Sequence, residues 1–454
     1  MSASNKAIRF RENAARAVGD RALRAALSNA AGVFTVKREE AFQSTPLEEW
    51  RELASQTRLE VLDDLGAYVD RFSENASKAG ARIHRAKDSA EARTIIGGIL
   101  KERGIQKVVK SKSMISEEVN LNADLLRDGI EVVETDLGEY IIQIAGEHPS
   151  HIIVPAIHKD RRQVGRLFAQ KLGCEYTEDP AALTRIAKKV LRQEFLSAEA
   201  GISGANFAVA DTGSIVIFTN EGNGRMCTSL PPLHIALTSI EKIVPSLADL
   251  PTFIRLLPRS ATGQMITSYM SLITGTRKLG EATGASELHI VLLDNGRSEI
   301  ARGEYREMLK CIRCGACLNA CPVYRNVGGH AYDSTYPGPM GIVLTVLFEG
   351  MDRGHPLLDA TTLCGACADV CPVKVPLPGL LRRLREERVV QGATPKTEQV
   401  AMAGFALLAA SPKLFRMAQA AVSALWPIAR KMATGRGVDY FPVPAKKTLS
   451  RRLS

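Results

Sequence analysis

Three observations predict a mixed α/β domain followed by a separate cysteine-rich helical module. Short apolar runs alternate with helical stretches from about residue 105 to residue 300, which is the texture of a mostly parallel sheet. Seven of the nine cysteines crowd into residues 311–371. The 454 residues suit two or three domains at about 150 residues each.

Taken in order, residues 1–104 read as an N-terminal helical region. Segments 21–27 and 47–65 repeat apolar residues every three or four positions. Residues 73–80 read as a polar interruption, and 90–100 as a helix ending near Gly104. Residues 105–300 form the α/β domain. Strands are predicted at 108–109, 130–133, 151–155 and 288–293, with helices at 120–127 and 181–195. A hairpin pairs 207–210 with 215–218. Residues 303–392 form the cysteine module, with helices at 340–349 and 380–390. Residues 393–454 make a C-terminal helical region and tail. There 397–432 is Ala-rich and broken at Pro412 and Pro427, 400–410 reads as a packed helix in preference to a surface-docking one, and the tail from Gly435 reads as mobile. The first two regions are expected to fold without the cysteine module, because their patterning is self-consistent.

Hydrophobic residues make up 45% and charged residues 24%, which excludes a disordered, collagenous or fibrous chain. A net charge of +10 permits acidic partners or an anionic membrane face without demanding them. No basic helix or DNA-binding motif accompanies it, so no nucleic-acid partner is expected. No apolar run reaches 18 residues, so no membrane span is expected. The N-terminus lacks the apolar core of a secretory signal. Unpaired cysteines gathered in one segment point to a reduced compartment and a metal site. A cytoplasmic protein follows, with peripheral contact at the inner membrane face compatible with its charge.

The cysteines repeat. Cys314-Gly-Ala-Cys317-Leu-Asn-Ala-Cys321-Pro-Val returns as Cys364-Gly-Ala-Cys367-Ala-Asp-Val-Cys371-Pro-Val. Cys311 completes C-x2-C-x2-C-x3-C-P, the bacterial ferredoxin run for [4Fe–4S] ligation. Thiolates are soft ligands suited to iron, small Gly and Ala residues let backbone N–H groups approach sulfide, and the Pro after the last Cys keeps the chain from folding back. Zinc ribbons use paired C-x2-C knuckles instead.

In two-cluster proteins the fourth Cys of each run serves the other cluster. Cluster one then takes Cys311, Cys314, Cys317 and Cys371. Cluster two takes Cys321, Cys364 and Cys367, with Thr361 where a fourth thiolate would stand. Four readings are open for that corner: an oxygen ligand from water, Thr361 or Asp359; a [3Fe–4S] cluster; Cys227 or Cys174 folded over; or a ligand from a partner subunit or small molecule. Cys227 reads first as an ordinary buried residue.

No G-x-G-x-x-G follows a strand and no P-loop occurs. The site-like stretches of the α/β domain are Ala210-Asp211-Thr212-Gly213-Ser214 and Thr219-Asn220-Glu221-Gly222-Asn223-Gly224-Arg225. Lys110, Lys112 or Arg225 would be the counter-charge for a small anionic or acyl ligand at the strand ends. The plain alternative is hairpin turns and solvated loops. His151, His158 and His234 read as hydrogen-bonded structural residues.

These stretches, together with Arg9-Phe10-Arg11-Glu12-Asn13, residues 289–297, both cysteine runs and Phe441-Pro442-Val443-Pro444-Ala445, run nearly end to end in an order that resembles the lactate-utilization protein B family. The resemblance implies an α/β domain of the sugar-phosphate isomerase and CoA-transferase kind, a helical dicluster ferredoxin module and a short helical C-terminal region. It implies two [4Fe–4S] clusters, the second with three Cys ligands, since seven cysteines are also the family's count. The expected function is an iron–sulfur electron-transfer component of an L-lactate-oxidising complex, relaying electrons from lactate oxidation to pyruvate between the other two lactate-utilization subunits and an acceptor. The alternative is a catalytic acyl-transfer or isomerase-like protein centred on Glu221, with structural or regulatory clusters.

Overall fold

The structure, a computed structural model, describes residues 7–394 and 396–434. Among the described residues, ten strands form two sheets. The first is six-stranded and wholly parallel, in the order β1-β10-β7-β4-β2-β3. Its members are β1 (Arg82–Ala86), β2 (Lys107–Lys110), β3 (Glu131–Glu134), β4 (Ala200–Ser203), β7 (Leu233–Ser239) and β10 (Glu287–Leu293). The second is four-stranded, with β5 (Phe207–Val209) and β6 (Ser214–Thr219) as its central hairpin, β8 (Ile243–Val244) parallel to β5, and β9 (Tyr269–Ile273) antiparallel to β6.

The large sheet is cored on both faces. Val291 and Leu293 of β10 pack with Ile235, Ile202 and Val108 on one face, against Ile96 and Leu100 of the helix Ser89–Glu102. Ile290 and Leu292 point to the opposite face, with Phe72 and Val69 of the helix Leu65–Lys78. Central strands buried on both sides read as continuous apolar runs, which is why β10 is legible in sequence. Asp88 starts the Ser89–Glu102 helix by accepting from Glu91 N at 2.9 Å, and Asp160 forms a capping box with Gln163 before Arg161–Leu172.

Several readings are corrected. The helical reading of 1–104 hid β1, an edge strand whose Arg82, His84 and Arg85 lie at the surface or half-buried. The 73–80 interruption is instead the end of the Leu65–Lys78 helix. Residues 151–155 are not a strand: the His151 Nδ1 accepts from Ile153 N and Val154 N at 3.0 and 3.1 Å, closing a tight turn before Pro155. The predicted hairpin belongs to the second sheet, and β4, β7, β8 and β9 went unread.

The cysteine module does not stand apart either. The described residues up to 387 form one compact unit. One continuous core joins Phe207, Phe253 and Leu256 to Leu318, Tyr324, Met340 and Leu344. The helix Arg21–Phe42 packs beside the cysteine run, as does Leu47–Asp63. A cut near Arg297 would therefore split that core, which bears on the expectation that the first two regions fold without the module.

A buried ion network seals the junction. Arg297 pairs with Glu118 and with Glu241, each at 2.7 Å, the second contact lacking hydrogen-bond alignment. Arg313 reaches Glu241 at 3.3 Å, and the Tyr336 hydroxyl donates to Glu118 at 2.7 Å. All four charged side chains are buried.

The rest of the chain, from residue 388, is a second unit. Its helices Lys396–Ala409 and Pro412–Thr434 meet at a 118° bend. The packed-helix reading of 400–410 is overturned: no residue of Lys396–Ala409 is buried, and Val400, Phe405 and Leu407 are exposed, as are Phe415, Leu425 and Ile428 of the next helix. The helix is apolar around its circumference and too short to enclose its own side chains. Pro412 starts the second helix, and Pro427 lies inside it without ending it. Among the described residues no single helix is long and apolar enough to cross a membrane. The tail from Gly435, including Phe441-Pro442-Val443-Pro444-Ala445, lies outside the described residues.

Two measurements follow. Arg297→Met leaves Glu118 and Glu241 buried without their shared cation, so it is expected to cost about 3–5 kcal/mol in denaturant titration of the full chain. His234 on β7 shares a 2.7 Å hydrogen bond with Ser203, and burial pushes its imidazole down to about 3. Below pH 6.5 the unfolded chain binds a proton that the native state refuses, so stability falls with acidification between pH 6.5 and 3 by ~1.4 kcal/mol per pH unit. His234→Gln should remove one proton's worth of that slope, and an unchanged slope would contradict the assignment.

Candidate metal centre

The chain enters the first cysteine run from the turn Arg306–Lys310. Lys310 is buried, and its ammonium donates to Ser55 Oγ at 3.1 Å, Glu307 at 2.7 Å and the Lys374 carbonyl at 2.9 Å. One side chain thereby joins the start of the first run to the end of the second. Each run then uses the same backbone trick. Arg313 and Leu363, immediately before Cys314 and Cys364, are left-handed (φ +59° and +52°), and Gly315 and Gly365, immediately after, have φ +77° and +90°. Left-handed residues on both sides of a cysteine curl the chain, and at the second position glycine avoids the Cβ penalty. Short helices Ala316–Ala320 and Ala366–Asp369 follow.

This geometry divides the seven thiols between two hollows. Cys311, Cys314, Cys317 and Cys371 line the first. Cys321, Cys364 and Cys367 line the second, together with Thr361 and Thr362. Among the described residues no three His, Cys, Asp or Glu groups converge on a single-ion site. The thiols surround spaces rather than a point, which fits a multi-iron cluster and not one zinc. Backbone amides point at sulfur: Arg313 N to Cys311 and Tyr324 N to Cys321 at 3.5 Å, and Val375 N to Cys371 at 3.3 Å. Such donors favour a charged sulfur. Without metal, burial pushes the thiols of Cys314, Cys317, Cys321 and Cys371 up, and that of Cys367 to about 12. Exposed Cys364 goes the other way, lowered first by the Ala366 N–H. The residues present therefore fit two iron–sulfur clusters, whose binding would displace the protons. Pro322 acts here as the first residue of the helix Pro322–Val327, which Cys321 caps.

A cationic shell surrounds the first hollow, and the sequence reading missed it. Arg51 donates to the Cys371 and Ala368 carbonyls at 2.9 and 3.1 Å, and Arg38 to the Val370 carbonyl at 3.2 Å. Arg58 donates to the carbonyls of Glu241, Ile243 and Leu309, and burial lowers its guanidinium to about 10. Arg313 lies over the Tyr336 ring at 5.1 Å. Arg51 and Arg58 stand seven residues apart on the helix Leu47–Asp63, on the side that also buries Ala54, Ser55 and Leu62. Their acceptors lie more than 180 residues away in sequence, so no local pattern marked them.

The other candidates scatter. Cys227 is fully buried in the α/β domain with Val109, Val133 and Phe195, 3.3 Å from Thr135 Oγ1, and burial pushes its thiol up to about 12. Cys174 packs beside Phe168 and Leu183. Neither lines the second hollow, so the fold-over reading is corrected. Asp359 does not line it either and pairs with Arg11 at 2.8 Å. Thr361 does line it.

In the α/β domain the expected counter-charges are already engaged. Lys110 is buried on Glu134 at 2.8 Å and Glu117 at 3.6 Å. Lys112 donates to the Ile153 carbonyl and feels Asp136, Glu139 and Glu221. Arg225 is exposed over Tyr269. Asp211 belongs to a turn in which a Cβ on Gly213 would stand 2.1 Å from Ala76 N. Glu221 is exposed, its carboxyl raised first by partial burial and then by Asp136. No anion site is assembled from these groups. The histidines are structural as expected. His151 shares a 3.3 Å contact with Asn319, with its imidazole pushed by burial to about 3, and His158 pairs with Glu147 at 2.7 Å.

Comparisons with known proteins match two stretches of the chain. Residues 69–293 match the LUD domain and residues 307–375 the 4Fe-4S dicluster domain. Lactate utilization protein B of Shouchella clausii is 46% identical over 88% of this chain and 86% of its own length. That of Bacillus subtilis is 42% identical over 96% of this chain and 94% of its own. The "Uncharacterized electron transport protein YkgF" of Escherichia coli is 44% identical over 90% and 86%. A solved DUF162 family protein from Deinococcus radiodurans overlaps 51% of this chain and 98% of its own, at TM-score 0.29 and 14% identity.

The division of thiols is open to test by iron and sulfide analysis. Cys314→Ser is expected to remove roughly half the iron and to spare the signal of the second hollow, and Cys367→Ser to do the reverse. Equal loss of both signals from each single substitution would mean one cooperative unit instead.

Proposed function

This chain belongs to the lactate utilization protein B family, and from that premise we propose that it is an electron-transfer protein of L-lactate oxidation to pyruvate, relaying electrons between the other two lactate-utilization subunits and an acceptor. The ligands proposed are Cys311, Cys314, Cys317 and Cys371 for the first [4Fe–4S] cluster, and Cys321, Cys364 and Cys367 for the second. When bound, the clusters supply one-electron carriage, which no side chain here provides.

One observation carries the reading. Cys317 and Cys321 lie four residues apart across the helix Ala316–Ala320, and each lines a different hollow. Cys367 and Cys371 repeat the arrangement across Ala366–Asp369. Four residues of helix rise about 6 Å, so two single-turn bridges connect the sites. The arginines hold the loops from outside, and Met340 and Leu377 keep water from the first hollow. Thr361 is the proposed neighbour of the open corner.

The catalytic alternative needs a ligand space at the carboxyl ends of the parallel strands. The ends of β7 and β10 are instead occupied by Glu241, Arg297 and the incoming Arg313. This supports a carrier over an acyl-transfer enzyme. Kinship of the α/β domain with sugar-phosphate isomerases and CoA-transferases is retained as a proposal about ancestry, supported by its parallel sheet. For location we propose the cytoplasm, with peripheral contact at the inner membrane face through the exposed apolar residues of Lys396–Ala409 and Pro412–Thr434. Lys413, Arg416 and Lys431 suit anionic headgroups there.

Three outcomes are expected. Lactate should reduce the holoprotein only when the two partner subunits are present, and reduction of the isolated protein by lactate would refute the relay. Glu221→Gln should support growth on lactate at the parental rate, whereas loss of growth with unchanged cluster absorbance would favour the catalytic reading. Thr361→Cys should retain iron longer in air and lower one midpoint potential only, read by potentiometric EPR, because a thiolate adds negative charge.

A further inference from the structure

An open groove of about 610 Å³ runs beside Cys321, lined by Arg21, Arg24, Ser28, Pro322, Arg325 and Asn326. Three guanidinium groups face it and no carboxylate lines it. Arg325 is fixed by neutral acceptors alone, donating to the Asn319 carbonyl at 2.6 Å, Thr35 Oγ1 at 2.8 Å and the Ala31 carbonyl at 3.3 Å. Its charge is therefore held in place and left uncompensated. Arg21 and Arg24 are exposed on the first turn of Arg21–Phe42, and among the described residues neither has an ion-pair partner. The adjacent Asp20 is engaged as the helix cap, accepting from Leu23 N at 3.0 Å. Ala320 and Pro322, the chain neighbours of Cys321, form part of the groove wall.

We propose that this groove docks the acidic face of an electron-carrying protein, which exchanges electrons with the chain at Cys321. The inference rests on the electron-transfer reading. It specifies the partner's chemistry: a surface of Asp and Glu residues around a flavin or iron–sulfur group. One electron passes per encounter, the partner being oxidised and this protein reduced, or the reverse, with no bond made or broken. A small anion is the weaker fit. A small-ligand site fixes its donors within a buried cleft, whereas Arg21 and Arg24 stand free in solvent and suit the broad charge matching that steers protein encounter.

The probe is reduced flavodoxin, an acidic one-electron donor, mixed with oxidised holoprotein in stopped flow, with complex formation followed separately by fluorescence anisotropy of labelled flavodoxin. In the parent, binding and electron uptake should both fall steeply between low and physiological ionic strength. Arg21→Glu with Arg24→Glu should weaken both at least about tenfold at low salt and flatten the salt dependence. These changes place acids in the first turn of a helix, where they are favourable, so folding is retained. Arg21→Lys with Arg24→Lys should keep most of the parental behaviour. Reduced methyl viologen, a small cationic donor, should reduce parent and variants alike. Its failure on the parent would sink the electron-transfer reading itself. The groove proposal is overturned if the Glu variant stays within twofold of the parent, or if the parent does not bind flavodoxin at low salt. It is equally overturned if inorganic phosphate blocks binding far more than sodium chloride of equal ionic strength, since the groove would then be a small-anion site.

Discussion

Glu241 is a fully buried carboxylate at the carboxyl end of β7, and its surroundings decide how the molecule is put together. Burial alone pushes its carboxyl up, but Arg297 and then Arg313 overcome that and hold it near 2. Arg297 comes from the segment after β10, Arg313 from the first cysteine run, and Arg297 also carries Glu118. Removing Arg297 leaves Glu118 without its cation in a low-dielectric interior and Glu241 with only Arg313 at 3.3 Å, which is costly. The network therefore couples the sheet to the cysteine loops in an all-or-none manner. It also accounts for the shared core: two surfaces joined by desolvated ions exclude water between them.

The loops around the thiols contain little regular secondary structure, so their carbonyls need donors from elsewhere. The helices Arg21–Phe42 and Leu47–Asp63 supply them through Arg38 and Arg51, while Arg58 bonds Leu309 before the first run and Glu241 and Ile243 of the α/β domain. The N-terminal helical region thus serves mainly the cysteine module, although more than two hundred residues separate them in sequence. Positive charge close to Cys311, Cys314 and Cys371 also compensates a group that carries net negative charge when loaded. The second hollow has Arg325 near Cys321 and an exposed Cys364. The two sites are therefore electrostatically unlike, despite the repeat that builds them.

What could be read from sequence follows from how local each signal was. The cysteine spacing is a local signal, so the seven thiols were identifiable directly, and in the structure they line two separate hollows. Strands such as β10 announce themselves because both faces are buried. β1 does not, because an edge strand keeps Arg82 and Arg85 at the surface. Residues 151–155 carry four strand-favouring or strand-compatible side chains, yet a single imidazole bonding to two following amides outweighs them. The arginine shell and the Glu241 network were illegible for a different reason. Each partner lies scores of residues from the next, and a buried arginine looks like a solvated one until its neighbours are known.

The exchange of end cysteines between hollows has a consequence for biosynthesis. The wall of the first hollow takes three thiols from the beginning of the module and one, Cys371, from its end. The second takes Cys321 from the early run and waits for Cys364 and Cys367. A nascent chain released as far as residue 330 carries four of the seven module cysteines and has completed neither enclosure. The cellular machinery that delivers iron and sulfide therefore meets no finished receptacle during most of translation, and then meets both within the few residues that close the second run. A chain that stops short of Cys364 has completed neither set of thiols, and one that stops between Cys367 and Cys371 has completed only the second.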